Sequence, residues 1–96
     1  MSEELDRNRG VFGITVAAEM AGTGAQNLRT YERAGLLHPA RTEGGTRRYS
    51  YNEITRLRRI TELMSEGLNL AGVARVMDLE DRIAELTAEV ERLRNE

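Results

Sequence analysis

The sequence contains no cysteine, and only one histidine and one proline, among its 96 residues. Without cysteine the chain can form no disulfide, and it has no thiolate with which to bind a soft metal or sense oxidants. The one histidine, His38, has no cluster of possible metal ligands around it in the sequence, so we interpret it as structural. We therefore predict neither a metal site nor a cofactor.

Motifs of catalysis are missing as well. The sequence has no glycine-rich phosphate loop, no G-x-S-x-G element and no H-E-x-x-H element, the signatures of common nucleotide-binding proteins, hydrolases and zinc proteases. A single histidine would have to supply most of the acid and base chemistry near neutral pH. We predict that the protein is not an enzyme.

Long apolar runs are also absent. No run approaches the roughly 20 apolar residues that a transmembrane helix needs, and residues 1–10 are polar, unlike a signal peptide. We therefore expect a cytoplasmic protein with no membrane partner. With 40% hydrophobic residues and no tryptophan, the chain can build one modest core, which we expect to need association with a second chain for stability.

Lysine is absent too, so all fourteen basic residues are arginines. The formal net charge is only −2, but the charge is divided unevenly along the chain. Residues 22–60 contain eight arginines and three acidic residues, a net charge of +5, whereas residues 78–96 contain three arginines and seven acidic residues, a net charge of −4. The basic segment favours a polyanionic partner such as nucleic acid.

Two short helices separated by a glycine turn are predicted in the first half of the chain. Thr15 has the side chain of an N-cap, and alanines follow it at helical spacing. The sequence GTG at 22–24 predicts a tight turn, and residues 25–34 predict a second helix that ends before Gly35. This arrangement is typical of a helix-turn-helix.

A small hairpin and a third helix follow. Residues 41–49 contain two adjacent glycines between residues of strand type, which predicts a β-hairpin. Ser50 and Glu53 have the spacing of a capping box, so the third helix is predicted to begin at Tyr51. The predicted inner face of this helix contains Ile54, Leu57, Ile60 and Met64.

The last part of the chain has the pattern of a coiled coil. Asn69 can cap a fourth helix over residues 70–77, and the apolar pattern continues beyond it. The apolar positions, at alternating spacings of three and four residues, are Val76, Leu79, Ile83, Leu86, Val90 and Leu93. Because this is a heptad pattern, we predict that these residues join two copies of the chain. An amphipathic helix packed on the rest of the chain is the alternative.

These patterns together predict a mainly α fold. The predicted architecture is a winged helix-turn-helix, with the small β-hairpin as its wing, followed by a C-terminal dimerising coiled-coil helix. We expect a flexible N-terminal arm over residues 1–11, a DNA-binding domain over 12–77 and a coiled-coil dimerisation helix over 78–96.

Four segments follow one another along the chain: ITVAAE at 14–19, LRTYERAGLLHP at 28–39, RT at 41–42 and GTRRYS at 45–50. Together they resemble the MerR family of transcriptional regulators. The resemblance extends in order over residues 12–77 and covers both of the elements that would recognise DNA. It implies a DNA-binding regulator of transcription.

Within that family the sequence is most similar to the heat-shock repressors. The segments that carry this similarity are LRTY at 28–31, GGTRRYS at 44–50 and NLAGV at 69–73. The similarity implies repression of heat-shock or chaperone genes, and it suggests an Hsp70-type chaperone or RNA polymerase as a further partner. Gly24 departs from the family, which often has a serine cap at this position.

The predicted base contacts come from the second helix. In a helix-turn-helix this helix enters the major groove, and its N-terminal and outward residues read base edges. The residues at those positions are Gln26, Asn27, Arg29 and Thr30. Glutamine and asparagine can pair with adenine and arginine with guanine, each contact being worth about 1–3 kcal/mol of discrimination.

The predicted backbone contacts come from the hairpin. Its candidate DNA-binding residues are Arg47, Arg48 and Tyr49. The MerR resemblance places Arg47 and Tyr49 in the wing motif of the family, and a wing arginine would reach a phosphate or the adjacent minor groove. Packing is the alternative role for Tyr49. Arg56 and Arg59 share a face of the third helix, where solvent exposure or phosphate contact is expected.

We therefore expect a homodimer that binds an inverted repeat in double-stranded DNA, in the cytoplasm and associated with the nucleoid. An architectural or excisionase-like protein that bends DNA is the main alternative, and an adaptor that works through its acidic coil is another. The a/d pattern of the coil favours parallel strands, and the flanking charges fit both directions equally well. The MerR resemblance implies an antiparallel coiled coil, which we adopt.

Overall fold

A computed structural model describes residues 6–96 of the chain. Its elements in chain order are α1 (Ile14–Met20), α2 (Ala25–Arg33), β1 (Ala40–Arg41), β2 (Arg47–Arg48), α3 (Tyr51–Ser65) and α4 (Leu70–Arg94). The predicted mainly helical fold with one small hairpin is confirmed. The chain divides into two compact units, one that ends at Glu62 and a second over Leu63–Glu96.

The first two helices form the predicted helix-turn-helix. Gly13, not the predicted Thr15, is the N-cap of α1, and it has no side chain with which to cap the helix. α2 ends as predicted, because Gly35 has a φ of +79° and allows the chain to leave the helix. The backbone N–H of Leu36 then donates to the carbonyl of Tyr31 at 2.9 Å, which closes the last turn of α2.

The hairpin is short and is extended by a third segment of chain. Ala40 pairs with Arg48 and Arg41 pairs with Arg47 in antiparallel register. Next to this ladder, Phe12 and Tyr49 form an isolated antiparallel bridge, in which the N–H of Tyr49 donates to the carbonyl of Phe12 at 2.7 Å. The segment before α1 therefore supports the strand that follows the wing.

α3 begins at the predicted capping serine. Ser50 Oγ accepts a hydrogen bond from the backbone N–H of Glu53 at 3.0 Å, which is one half of a capping box. The other half, a hydrogen bond from the backbone N–H of Ser50 to the Glu53 carboxylate, is not formed. The carboxylate accepts instead from the backbone N–H of His38 at 3.4 Å. The buried residues of α3 are Ile54, Leu57, Ile60 and Leu63. Met64 was predicted in place of Leu63 and is 36% exposed.

The second unit contains one long helix. Asn69 caps α4 as predicted, accepting from the backbone N–H of Gly72 at 2.8 Å. Because α4 runs unbroken from residue 70 to residue 94, no break separates the predicted domain from the predicted coil at residue 78. Val73 and Met77 are buried near its start. No helix within residues 6–96 is long and apolar enough to cross a membrane.

The predicted flexible arm is only partly within the described residues, because residues 1–5 lie outside them. Asn52 of α3 donates from Nδ2 to Asn8 Oδ1 at 2.6 Å, and its backbone N–H donates to the carbonyl of Arg7 at 2.9 Å. Arg7 and Asn8 are thus bonded to the start of α3, and the flexibility of the arm stays a prediction.

Candidate nucleic-acid interface

α2 separates a buried face from a polar, accessible face. Leu28 and Tyr31 are buried, and they lie on the same side because residues three apart are neighbours on a helix. The predicted reading residues lie away from this side: Gln26 and Asn27 are exposed, and Arg29 and Thr30 are half-buried. The structure thus places all four of the predicted base-reading residues within reach of a ligand at the surface.

Hydrogen bonds within α2 orient these side chains. Arg29 Nη1 donates to Gln26 Oε1 at 3.4 Å, and Thr30 Oγ1 donates to the carbonyl of Gln26 at 3.2 Å. Asn27 Nδ2 donates to Thr23 Oγ1 in the preceding turn at 2.8 Å. The Arg29 bond is long and exposed, so a base edge can replace it at little cost.

Arg33 belongs to the same surface and was missed by the sequence reasoning. It is exposed, and its Nη2 donates to Thr30 Oγ1 at 3.3 Å. It lies seven residues, about two helical turns, after Gln26, so the two share a face of α2. Counting this heptad spacing from Gln26 would have found it.

The wing residues separate into two accessible arginines and one buried tyrosine. Arg47 and Arg48 are half-buried, whereas Tyr49 has no exposed surface. The burial of its ring favours the packing role that the sequence analysis left open for Tyr49, and its DNA contact stays a prediction. Burial raises the pKa of its phenol, and its hydroxyl has no hydrogen-bond partner among the described residues.

An ion-pair cluster connects the wing to α2. Glu32 Oε1 accepts from Arg47 Nε at 2.5 Å, and Glu32 Oε2 accepts from Arg41 Nη2 at 3.0 Å. The hydrogen bond from Arg47, followed by the charges of both arginines, holds the pKa of Glu32 below its usual value although burial opposes this. The same carboxylate raises the pKa of Arg47. We call these three residues the wing clamp.

The arginines of α3 support the fold of the first unit. Arg58 donates from Nε and Nη2 to the carbonyl of Met20 at 3.3 and 3.2 Å, which satisfies the C-terminal end of α1. Arg56 Nε donates to the carbonyl of Leu36 at 3.0 Å. Arg59 forms an ion pair with Glu62. The three arginines thus bond to groups of the same chain, and phosphate contact by them stays a prediction.

His38 contacts α3 through its backbone, and the structural role predicted for its side chain stays a prediction. Its side chain is exposed, and its backbone N–H is bonded to the Glu53 carboxylate. Burial raises the pKa of Glu53, and the hydrogen bond from His38 opposes that rise.

Known proteins match this chain over most of its length. Residues 12–80 match the family model described as MerR HTH family regulatory protein. A relative from Streptomyces coelicolor that carries the name heat shock protein HspR is 45% identical over 91 residues, which are 94% of this chain and 60% of that protein. The chain thus spans less than two thirds of the length of this relative.

Solved structures have the same fold. HiNmlR, a MerR family regulator that lacks the sensor domain and was crystallised bound to promoter DNA, matches with a TM-score of 0.66 and 25% identity over 86% of this chain and 70% of its own. PbrR691 from Ralstonia metallidurans CH34, crystallised with lead(II), matches with a TM-score of 0.68 and 27% identity over 88% of this chain and 78% of its own. With the family model covering both helices of the helix-turn-helix and the wing, these matches confirm the resemblance found in the sequence: the chain belongs to the MerR HTH family of regulatory proteins.

Proposed function

We propose that this chain binds double-stranded DNA in a sequence-specific manner and regulates transcription. The observation that supports this most directly is the polar, accessible face of α2, which carries Gln26, Arg29 and Arg33, while the apolar residues Leu28 and Tyr31 lie on the buried side. Beside it lies a wing with two half-buried arginines. The promoter DNA bound by HiNmlR adds support through a shared fold.

The contacts to DNA follow from this geometry. α2 enters the major groove, where Arg29 pairs with the O6 and N7 atoms of a guanine, and Gln26 or Asn27 pairs with an adenine. Arg47 uses only its Nε for Glu32, so its terminal nitrogens are left for a phosphate oxygen. The base contacts supply sequence preference, and the wing contact positions the protein on the duplex.

A homodimer completes the proposal. The predicted seam of α4 is open to solvent from Leu79 onward, with Ile83 62% exposed and Leu86 55% exposed, whereas Val76 is half-buried. Such a row of large apolar side chains favours burial against another helix. A second copy in an antiparallel coiled coil would cover it and would present two copies of α2 to an inverted repeat.

Similarity to HspR extends the proposal to repression of heat-shock genes in the cytoplasm. Contact with an Hsp70-type chaperone or with RNA polymerase stays a prediction from the family resemblance.

Selection of bound duplexes from a random-sequence DNA library tests this function. We expect the full chain to enrich one inverted repeat, because both copies of α2 read the same half-site. Binding to that repeat should exceed binding to a scrambled duplex of equal length by about 10³-fold or more. Equal binding to all duplexes would leave only a non-specific DNA-binding protein, and no binding at low salt would overturn the function altogether.

A further inference from the structure

Glu32 stands out on α2 because it places a negative charge beside a surface that otherwise carries arginine and amide groups. It is the one acidic residue of the helix, and it lies next to the buried face, where its side chain is only 22% exposed. A carboxylate near DNA phosphates weakens binding through charge repulsion. We therefore expect Glu32 to make a favourable contribution that offsets this loss of DNA affinity.

The ladder of the wing is short, and the bridge between Phe12 and Tyr49 supports it only at the end away from the turn. Its two strands contain two residues each, and a ladder of this length is marginal by itself. Arg41 spans from the wing turn to α2, since its Nη1 donates to the carbonyl of Gly45 at 2.9 Å while its Nη2 bonds to Glu32. Glu32 thus holds the turn through Arg41 and the second strand through Arg47.

We infer that Glu32 is a specificity-determining residue that acts by positioning: it orients the wing arginines relative to the reading face of α2. This inference rests on the proposed DNA-binding function. In the specific complex, α2 and the wing must reach their base and phosphate partners in one register, so a wing that is already oriented loses less freedom on binding. In non-specific complexes the arginines accept any nearby phosphate, and orientation contributes little.

Loss of the wing clamp should therefore affect specific and non-specific DNA affinity in different ways. Replacing Glu32 by glutamine removes a charge that repels phosphate, which should tighten binding to any duplex. The same change loosens the wing, which weakens binding only where a fixed register matters. The ratio of specific to non-specific affinity should fall about tenfold, which corresponds to about 1.4 kcal/mol.

The experiment measures that ratio for the full chain, with the duplex selected by the unmodified protein and a scrambled duplex of the same length. Glu32→Gln should lower the ratio about tenfold at constant salt. The matched control is Glu43→Gln, because Glu43 is an exposed acidic residue of the wing turn and the charge change is identical. The control should leave the ratio within about twofold of the unmodified protein.

Several outcomes would overturn the inference. If Glu32→Gln leaves the ratio of specific to non-specific affinity unchanged, the wing clamp does not contribute to specificity. If Glu43→Gln lowers the ratio as much as Glu32→Gln does, the loss of a negative charge explains the fall and positioning does not. If circular dichroism shows that Glu32→Gln does not fold, Arg41→Gln is the second variant, because it removes one bond of the wing clamp at a half-exposed side chain. A ratio of specific to non-specific affinity that Arg41→Gln leaves unchanged would also overturn the inference. An unmodified protein that selects no duplex would instead remove the proposed function itself.

Discussion

At the scale of single residues, Arg29 is the side chain whose loss should reveal base reading most clearly. It is half-buried on the accessible side of α2 and bonds only weakly to Gln26, so Arg29→Ala removes no core atom. We expect the variant to melt like the unmodified chain and to lose its preference for the selected duplex by about 1–3 kcal/mol. A circular-dichroism melt and competition binding measure the two effects.

A matched control for this variant is Arg94→Ala, which makes the same charge change at the end of α4. It should leave the preference for the selected duplex unchanged. If Arg29→Ala keeps its specific affinity within about twofold of the control, then Arg29 does not contact a base in the complex.

At the scale of the element, the wing arginines should supply charge that strengthens binding to every duplex, while their orientation by Glu32 matters only in the specific complex. Arg47→Ala should weaken binding to both the selected and the scrambled duplex, because phosphates are alike in every sequence. The slope of log K against log salt should become shallower by about 1, since one fewer counterion is released. Binding titrations over a series of salt concentrations measure this slope.

Tyr49→Phe is the control for the wing. Its hydroxyl is buried and has no hydrogen-bond partner among residues 6–96, so the change should leave the salt slope as it is. A slope that stays unchanged in Arg47→Ala, or one that changes in Tyr49→Phe, would contradict this assignment of the wing contact.

At the scale of the whole molecule, α4 should determine whether the chain is a dimer. Leu86→Asp places a charge in the middle of the predicted seam, where burial would be costly, so we expect monomers that lose binding to the inverted repeat. Ala88→Asp adds the same charge two residues further along, outside the predicted seam, and should leave the dimer intact. Analytical ultracentrifugation distinguishes the two results.

Cysteine crosslinking tests the direction of the strands in the proposed coil. If Ile83 lies beside Leu86 of an antiparallel second copy, Leu79 lies beside Val90, and the double variant Leu79→Cys, Val90→Cys should form an intermolecular disulfide. Leu79→Cys alone should not, because Leu79 and its symmetry mate lie far apart in an antiparallel coil but face each other in a parallel one. Efficient crosslinking of Leu79→Cys alone would mean that the strands are parallel.

The sequence by itself determined the features that depend on neighbouring residues. The ends of the helices could be predicted at Gly35, Ser50 and Asn69 because capping joins groups within about one helical turn. The polar, accessible face of α2 could be predicted because helical periodicity relates residues three and four positions apart. The open apolar row of α4 follows from the same periodicity, although its partner stays a proposal.

Only the tertiary structure decided the features that join distant segments. The bonds of the wing clamp connect residues 9 and 15 positions apart, and Arg58 reaches a carbonyl 38 positions away. Tyr49 is fully buried although its neighbours Arg47 and Arg48 are accessible, and its backbone pairs with the distant residue Phe12. An arginine or a tyrosine suits either a ligand contact or a packed environment, and the choice depends on which segments the folded chain brings beside it.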